Sequence, residues 1–154
     1  MIYYLIASIL IAVTALFART KRAVLAAGIL FYAVQIAAAG LLLWGGLYDT
    51  TSAAFFTFDA LGTLFYLLLV VVSMYVFGHS EAYLQGEDLR SYRLYFALLM
   101  LLTTAIAGAY FANNLAVTWI FLEATTLCSA GIIYHRRTAQ ALEAAWKYVF
   151  VCST

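Results

Sequence analysis

Two ionisable residues occupy positions where charge is expensive. Glu123 lies near the middle of an apolar run from Leu115 to Ile133, with about eight apolar or weakly polar residues on either side. Lys147 lies about eight residues into the next run, which begins near Ala139. A charge at the centre of a bilayer costs roughly 2.5–3.5 kcal/mol on insertion scales, so such residues define a candidate proton or ion path. Desolvation raises a buried carboxyl pKa and lowers that of a buried ammonium, while an opposite charge nearby does the reverse. A glutamate and a lysine balanced in this way can exchange protons near neutral pH. A conformational change that joins or separates them then captures or releases a proton. At about 1.5 Å per residue, Lys147 and Glu123 lie roughly 12 Å and 15 Å from the turn that joins their helices, and so at similar depth.

A second reading of the lysine stays open. Glu143 precedes Lys147 by four residues and can pair with it within one helix. Lys147 is then an anchored side chain whose stem snorkels to the interface. Glu123 is too short and too central to do the same. Thr126 shares the face of Glu123 at i+3, with Thr125 and Ser129 nearby. These hydroxyls can relay protons or hold water, or they can pack and bond back to the preceding turn. Asp59, at the outer start of the third apolar run, is placed for a helix N-cap and is a further accessory candidate. His135, beside Arg136 and Arg137, reads as interfacial, and a histidine at such a mouth can feed protons. His79, Glu81 and Asp88 read as solvated loop residues, and Gln35 as a helix–helix contact.

The elements that must position these residues follow from composition. The chain is 67% hydrophobic and 10% charged, whereas a soluble domain averages about 25% charged. A spanning helix needs about 20 apolar residues. The runs at residues 2–18, 23–47, 60–78, 94–112, 115–133 and 139–154 predict an all-α integral membrane protein, a polytopic bundle of about six transmembrane helices in one domain. The last helix, ending at Thr154, is expected to be incomplete. Trp44 and Tyr48 read as an aromatic belt, and residues 79–93 as a cytoplasmic loop with a possible surface helix, since Glu87 and Arg90 are i,i+3 neighbours. The absence of proline gives no support to an ion site at a broken helix.

The connections test the spans. Arg19, Lys21 and Arg22 follow the first run, Arg90 and Arg93 precede the fourth, and Arg136 and Arg137 follow the fifth. Residues 48–59 and the Asn113–Asn114 turn carry no Lys or Arg. Every basic residue except Lys147 therefore falls on one side, which the positive-inside rule makes the cytoplasm, with the N-terminus outside. A signal peptide carries its basic residues before the apolar run; here they come after it, as in an uncleaved first helix. With two lysines and a net charge of +1, no basic face for nucleic acid is expected. Cys128 and Cys152 lie in apolar runs and read as small core residues. No metal-ligand spacing or phosphate loop is present, so neither metal nor cofactor is expected.

The wording of two segments carries a family resemblance. Asn113-Asn114-Leu115-Ala116-Val117-Thr118-Trp119-Ile120-Phe121-Leu122-Glu123-Ala124-Thr125-Thr126-Leu127 resembles the fifth helix of the antiporter-like membrane subunits. These are found in respiratory complex I, in multi-subunit sodium/proton antiporters and in membrane-bound nickel–iron hydrogenases. Glu143-Ala144-Ala145-Trp146-Lys147-Tyr148-Val149 resembles the start of their sixth helix, and Phe58-Asp59-Ala60-Leu61-Gly62 the start of their third. The wording is closest to the hydrogenase-4 and formate hydrogenlyase branch, component F in particular. The resemblance implies about fourteen helices in two inverted repeats, of which this sequence covers the first part. It implies that the helix-five glutamate, matched by Glu123, pairs with a helix-seven lysine that lies outside this sequence, with the helix-six lysine, matched by Lys147, as an accessory. It further implies a multi-pass subunit of the prokaryotic inner membrane that conducts protons or sodium ions. Electron transfer in partner subunits of the complex, which includes other membrane subunits, would drive that movement, with no catalysis by this chain alone. A secondary cation/proton antiporter subunit and a purely structural membrane subunit are the alternatives.

Overall fold

The computed structural model describes residues 2–45, 55–84 and 86–152, apart from the side chain of Arg136. Among these, six α-helices account for nearly all the chain: α1 (Ile2–Phe17), α2 (Lys21–Leu43), α3 (Ala60–Tyr83), α4 (Leu89–Phe111), α5 (Leu115–Ile133) and α6 (Ala139–Cys152). Helices α2 to α5 are long and apolar enough to cross a membrane, and α1 is a shorter apolar helix. At about 1.5 Å per residue, the 23 residues of α2 extend roughly 35 Å, enough for a hydrocarbon core of about 30 Å.

Polar caps set the helix starts. Thr20 Oγ1 accepts from Ala23 N at 3.2 Å, so α2 begins at Lys21, two residues before its apolar run. Asn114 Oδ1 accepts from Ala116 N at 2.9 Å and opens α5 at the predicted residue. The 79–93 loop expected from hydropathy is mostly helix. α3 continues to Tyr83 and α4 begins at Leu89, because a helix satisfies its own backbone bonds wherever the chain lets it continue, apolar or not. The Ser80 hydroxyl is satisfied within this extension by donating to Val76 O at 2.7 Å. Arg90 therefore belongs to the first turn of α4, and Glu87 to the short connection before it. The expected end of the second run at Leu47, the belt residue Tyr48, and residues 153–154 lie outside the described residues.

α4 sits at the centre of the bundle. It packs against α1, α2, α3 and α5, while α6 rests on α5 and the 3₁₀ turn (Tyr134–Arg136) that joins them. Two apolar clusters fill the interior. One gathers Val24, Phe31, Tyr92, Phe96 and Met100; the other gathers Leu42, Phe56, Tyr66, Val70 and Phe111. Hydroxyl and amide groups share this interior, namely Gln35, Thr63, Ser73, Thr103 and Thr104. Large aliphatics face outward instead, among them Leu61, Leu64, Leu68, Val71 and Val72 on α3. Polar side chains buried between helices, with an outward aliphatic coat, are the pattern expected in lipid. There helices gain nothing from hiding leucine, and associate through close packing and hydrogen bonds.

The two ends of the bundle are tied differently. At one end, Lys21 Nζ donates to Glu87 O at 2.8 Å, and Arg93 Nη1 donates to Ala18 O at 3.0 Å. These bonds bring the α1–α2 and α3–α4 connections together, with Arg19, Lys21 and Arg22 beside the first and Arg90 and Arg93 in the helix that follows the second. At the other end, Thr57 N donates to Phe111 O at 2.8 Å, and Asn113 N to Phe55 O at 2.8 Å. That places the segment before α3 beside the α4–α5 turn. The basic residues around these connections thus share one end, as their spacing requires.

Candidate functional site

α5 positions Glu123, and α4 positions α5. The two helices approach closely at Gly108, where a Cβ would collide with the ring of Phe121, and at Gly131, where it would lie 2.8 Å from Leu98 Cδ1. The second face of α5 meets α6 across an open apolar groove of ≈ 370 Å³, lined by Leu127 and Gly131 from α5, by Tyr134 from the 3₁₀ turn and by Leu142, Ala145 and Val149 from α6. Glu123 precedes Leu127 by one turn on this stripe, since positions four apart share a helix face. It is half-buried and stands ninth in a helix of 19 residues.

The hydroxyls around Glu123 are committed to the backbone. Thr126 is buried and donates to Leu122 O at 3.2 Å, and Thr125 donates to the same oxygen at 2.7 Å. Their lone pairs are left to accept, so either can receive a bond but donates onward only by giving up Leu122. Ser129 is half-buried one turn further along.

Lys147 is oriented by its own helix. Its ammonium donates to Glu143 Oε1 at 2.6 Å, an i,i+4 pair with both side chains mostly exposed. Ala145, the buried residue of α6, faces α5. At about 100° per residue, Lys147 and Glu143 lie roughly 160° away from it on the helix circumference. The pair therefore occupies the face of α6 turned away from α5, with Phe150 and Val151 also exposed nearby. Of the two readings left open for Lys147, the geometry has the intrahelical pair formed.

Asp59 caps α3. Its Oδ1 accepts from Gly62 N at 3.1 Å, and its carbonyl accepts from the Thr63 hydroxyl at 2.8 Å. His135, expected at an interface, is buried at 8% exposure, because the 3₁₀ turn folds it back under α4. Its Nδ1 lies 2.8 Å from Ile132 O, and its ring stands edge-on to Tyr95 with centroids 5.4 Å apart. His79 and Glu81, read as loop residues, are exposed positions of α3, and Asp88 is the residue before α4.

A polar cluster between α1, α2 and α3 escaped the sequence reading in part. The Gln35 side-chain oxygen accepts from Tyr4 at 2.6 Å and from Tyr66 at 2.8 Å, and Tyr66 also reaches Gln35 O at 3.2 Å. Gln35 was legible as a helix–helix contact; its partners were not, because tyrosines in apolar runs count as apolar. The missed signal is a heptad on α3. Tyr66, Ser73 and Ser80 recur every seven residues, and all three are buried.

These features define a class: an all-α bundle with four helices long and apolar enough to cross a membrane and a set of polar side chains buried between them. No family profile matches the chain, and no solved structure matches it. It is similar to the hydrogenase-4 component F homolog of Methylacidiphilum infernorum (isolate V4), at 29% identity over 101 residues. That similarity takes in 62% of this chain and 21% of the relative. The chain thus corresponds to about a fifth of the length of the curated relative it matches. The relative's name falls in the branch that the wording around Glu123 and Lys147 resembles.

Proposed function

We propose that this chain is part of an antiporter-like membrane subunit that conducts protons in a redox-driven complex of the hydrogenase type. One observation carries the reading: a half-buried carboxylate at the midpoint of an apolar helix, one turn before Leu127, which lines the groove towards the neighbouring helix. Retaining such a group against its insertion cost is the signature of an ion path. The similarity to a hydrogenase-4 component F homolog supports the same reading. Glu123 is the mid-membrane proton carrier. Lys147, held by Glu143, sets the field on α6. The basic end of the bundle faces the cytoplasm of a prokaryote, the N-terminus lies outside, other membrane subunits are its neighbours, and partner subunits supply the redox chemistry.

The test is Glu123→Gln in the full-length subunit within its complex. Proton uptake into inverted vesicles, followed by a quenched acridine dye and normalised to electron transfer, is expected to fall at least tenfold while the complex still assembles. Unchanged uptake per electron would refute the assignment. The formed Lys147–Glu143 pair favours a second reading, a structural subunit whose charges are static, and that reading predicts the unchanged result.

A further inference from the structure

A groove of ≈ 290 Å³ runs between α3 and α4, lined by Tyr75, His79, Ser80, Tyr83 and Tyr95. It opens near the end of the bundle where Lys21 and Arg93 tie the connections, and His79 and Tyr83 at its rim are exposed. At roughly 30 Å³ per molecule of liquid, its volume accommodates on the order of ten waters. The inner wall is a pair of hydroxyls, Ser80 Oγ and Tyr95 Oη, 3.1 Å apart. Ser80 spends its proton on Val76 O, so Tyr95 is the donor and keeps its own lone pairs free to accept.

His135 stands behind Tyr95, and its hydrogen bonding fixes its tautomer. A carbonyl oxygen only accepts, so the 2.8 Å contact with Ile132 O places a proton on Nδ1. In the neutral ring Nε2 is then a bare lone pair. That atom is buried and has no hydrogen-bond partner among the described residues. A buried acceptor left in this state costs free energy that one water molecule removes. Two observations therefore meet at Tyr95: an open groove whose inner wall carries two hydroxyls, and an unpartnered basic nitrogen on a ring that packs against Tyr95 from behind.

We infer that the α3–α4 groove is a water-filled inlet ending at His135, where protons from this face of the membrane are loaded. A proton carried by groove water adds to the Nε2 lone pair and gives an imidazolium with both nitrogens protonated. It leaves through the same N–H bond to a second water within reach of Nε2, and the neutral ring is restored. No other bond changes. His135 lies twelve residues from Glu123, about 18 Å along the helix axis, with Ser129 and Thr126 between. The inlet rests on the reading of α5 as the carrier of a proton path.

Two measurements test it on the full-length subunit in its complex. X-ray radiolysis in ¹⁸O-water marks side chains beside bound water. His135 is expected to label despite its burial, and half-buried Tyr95 with it, whereas Phe31 and Phe96, at 0% exposure, do not. Labelling of His135 no greater than that of Phe31 would overturn the inlet. In parallel, His135→Ala is expected to slow proton uptake at least tenfold, with recovery when imidazole is added. Slowing without recovery, or no slowing while Glu123→Gln blocks uptake, would also overturn it. Normal uptake in Glu123→Gln refutes the parent reading instead, and the labelling result then decides the inlet by itself.

Discussion

Replacing Gln35 with Leu should weaken the bundle when Tyr4 and Tyr66 keep their hydroxyls, and strengthen it when both are Phe. The amide is fully buried and accepts two phenolic hydrogens on one oxygen, at 2.6 and 2.8 Å, while its Nε2 has no partner among the described residues. Interhelical polar bonds in membranes average about 0.6 kcal/mol and reach about 1.7. Two of them amount to roughly 1–3 kcal/mol. Tyr66 retains the Gln35 main-chain oxygen at 3.2 Å, which trims the loss in Gln35→Leu to about 1–2 kcal/mol. In the Tyr4→Phe/Tyr66→Phe background both ends of the amide are unpaired. A buried unpaired polar group costs about 1–3 kcal/mol, so the same substitution there gains about 1 kcal/mol or more. The difference between backgrounds is about 2–3 kcal/mol with a change of sign. Unfolding free energies from steric trapping in bicelles, measured on the four variants, give both numbers. A Gln35→Leu effect equal in size and sign in the two backgrounds would refute the shared-acceptor account.

Two further outcomes follow from the caps and the ion pair. Asp59→Ala should destabilise the protein by about 1 kcal/mol, the usual worth of an N-cap, while Asp59→Asn restores most of it and proton uptake changes in neither. A loss of uptake in the stable Asn variant would place Asp59 in the path instead. Neutralising Lys147 or Glu143 alone should lower the melting temperature of the complex more than neutralising both, because a lone charge on that face loses its partner. Equal losses in the three variants would show that the pair does not form.

Periodicity and charge located the helices well where backbone and hydropathy agree. α5 begins and ends where its apolar run does, with Asn114 marking the start. The agreement fails past residue 78, where α3 runs on through His79, Ser80 and Glu81. Hydropathy measures what lipid tolerates, not where backbone bonding stops. Positions along a helix were legible, but the faces they share with neighbours were less so. Counting placed Lys147 and Glu123 at similar depth. The direction of Lys147 needed the packing of Ala145 on α5, which only tertiary structure supplies. His135 was read from its charged neighbours as interfacial, but a three-residue 3₁₀ turn buries it, and such turns leave little trace in composition. The Asp59 cap was legible outright, because its chemistry is local.

The central place of α4 has a consequence for how the protein is made. Arg93 must find Ala18 O, a partner 75 residues earlier in the chain. At synthesis rates of about 5–20 residues per second, that carbonyl waits roughly 4–15 s in the nascent chain. Until α4 inserts, α1, α2 and α3 lack the helix against which all three pack. The first half of the bundle is therefore a long-lived translocon client, with Gln35 and Tyr66 already able to join α2 to α3 while the interior remains unfilled. Biogenesis of this bundle should be most vulnerable between the emergence of the third and fourth helices. Membrane quality-control proteases would find their substrate in that interval.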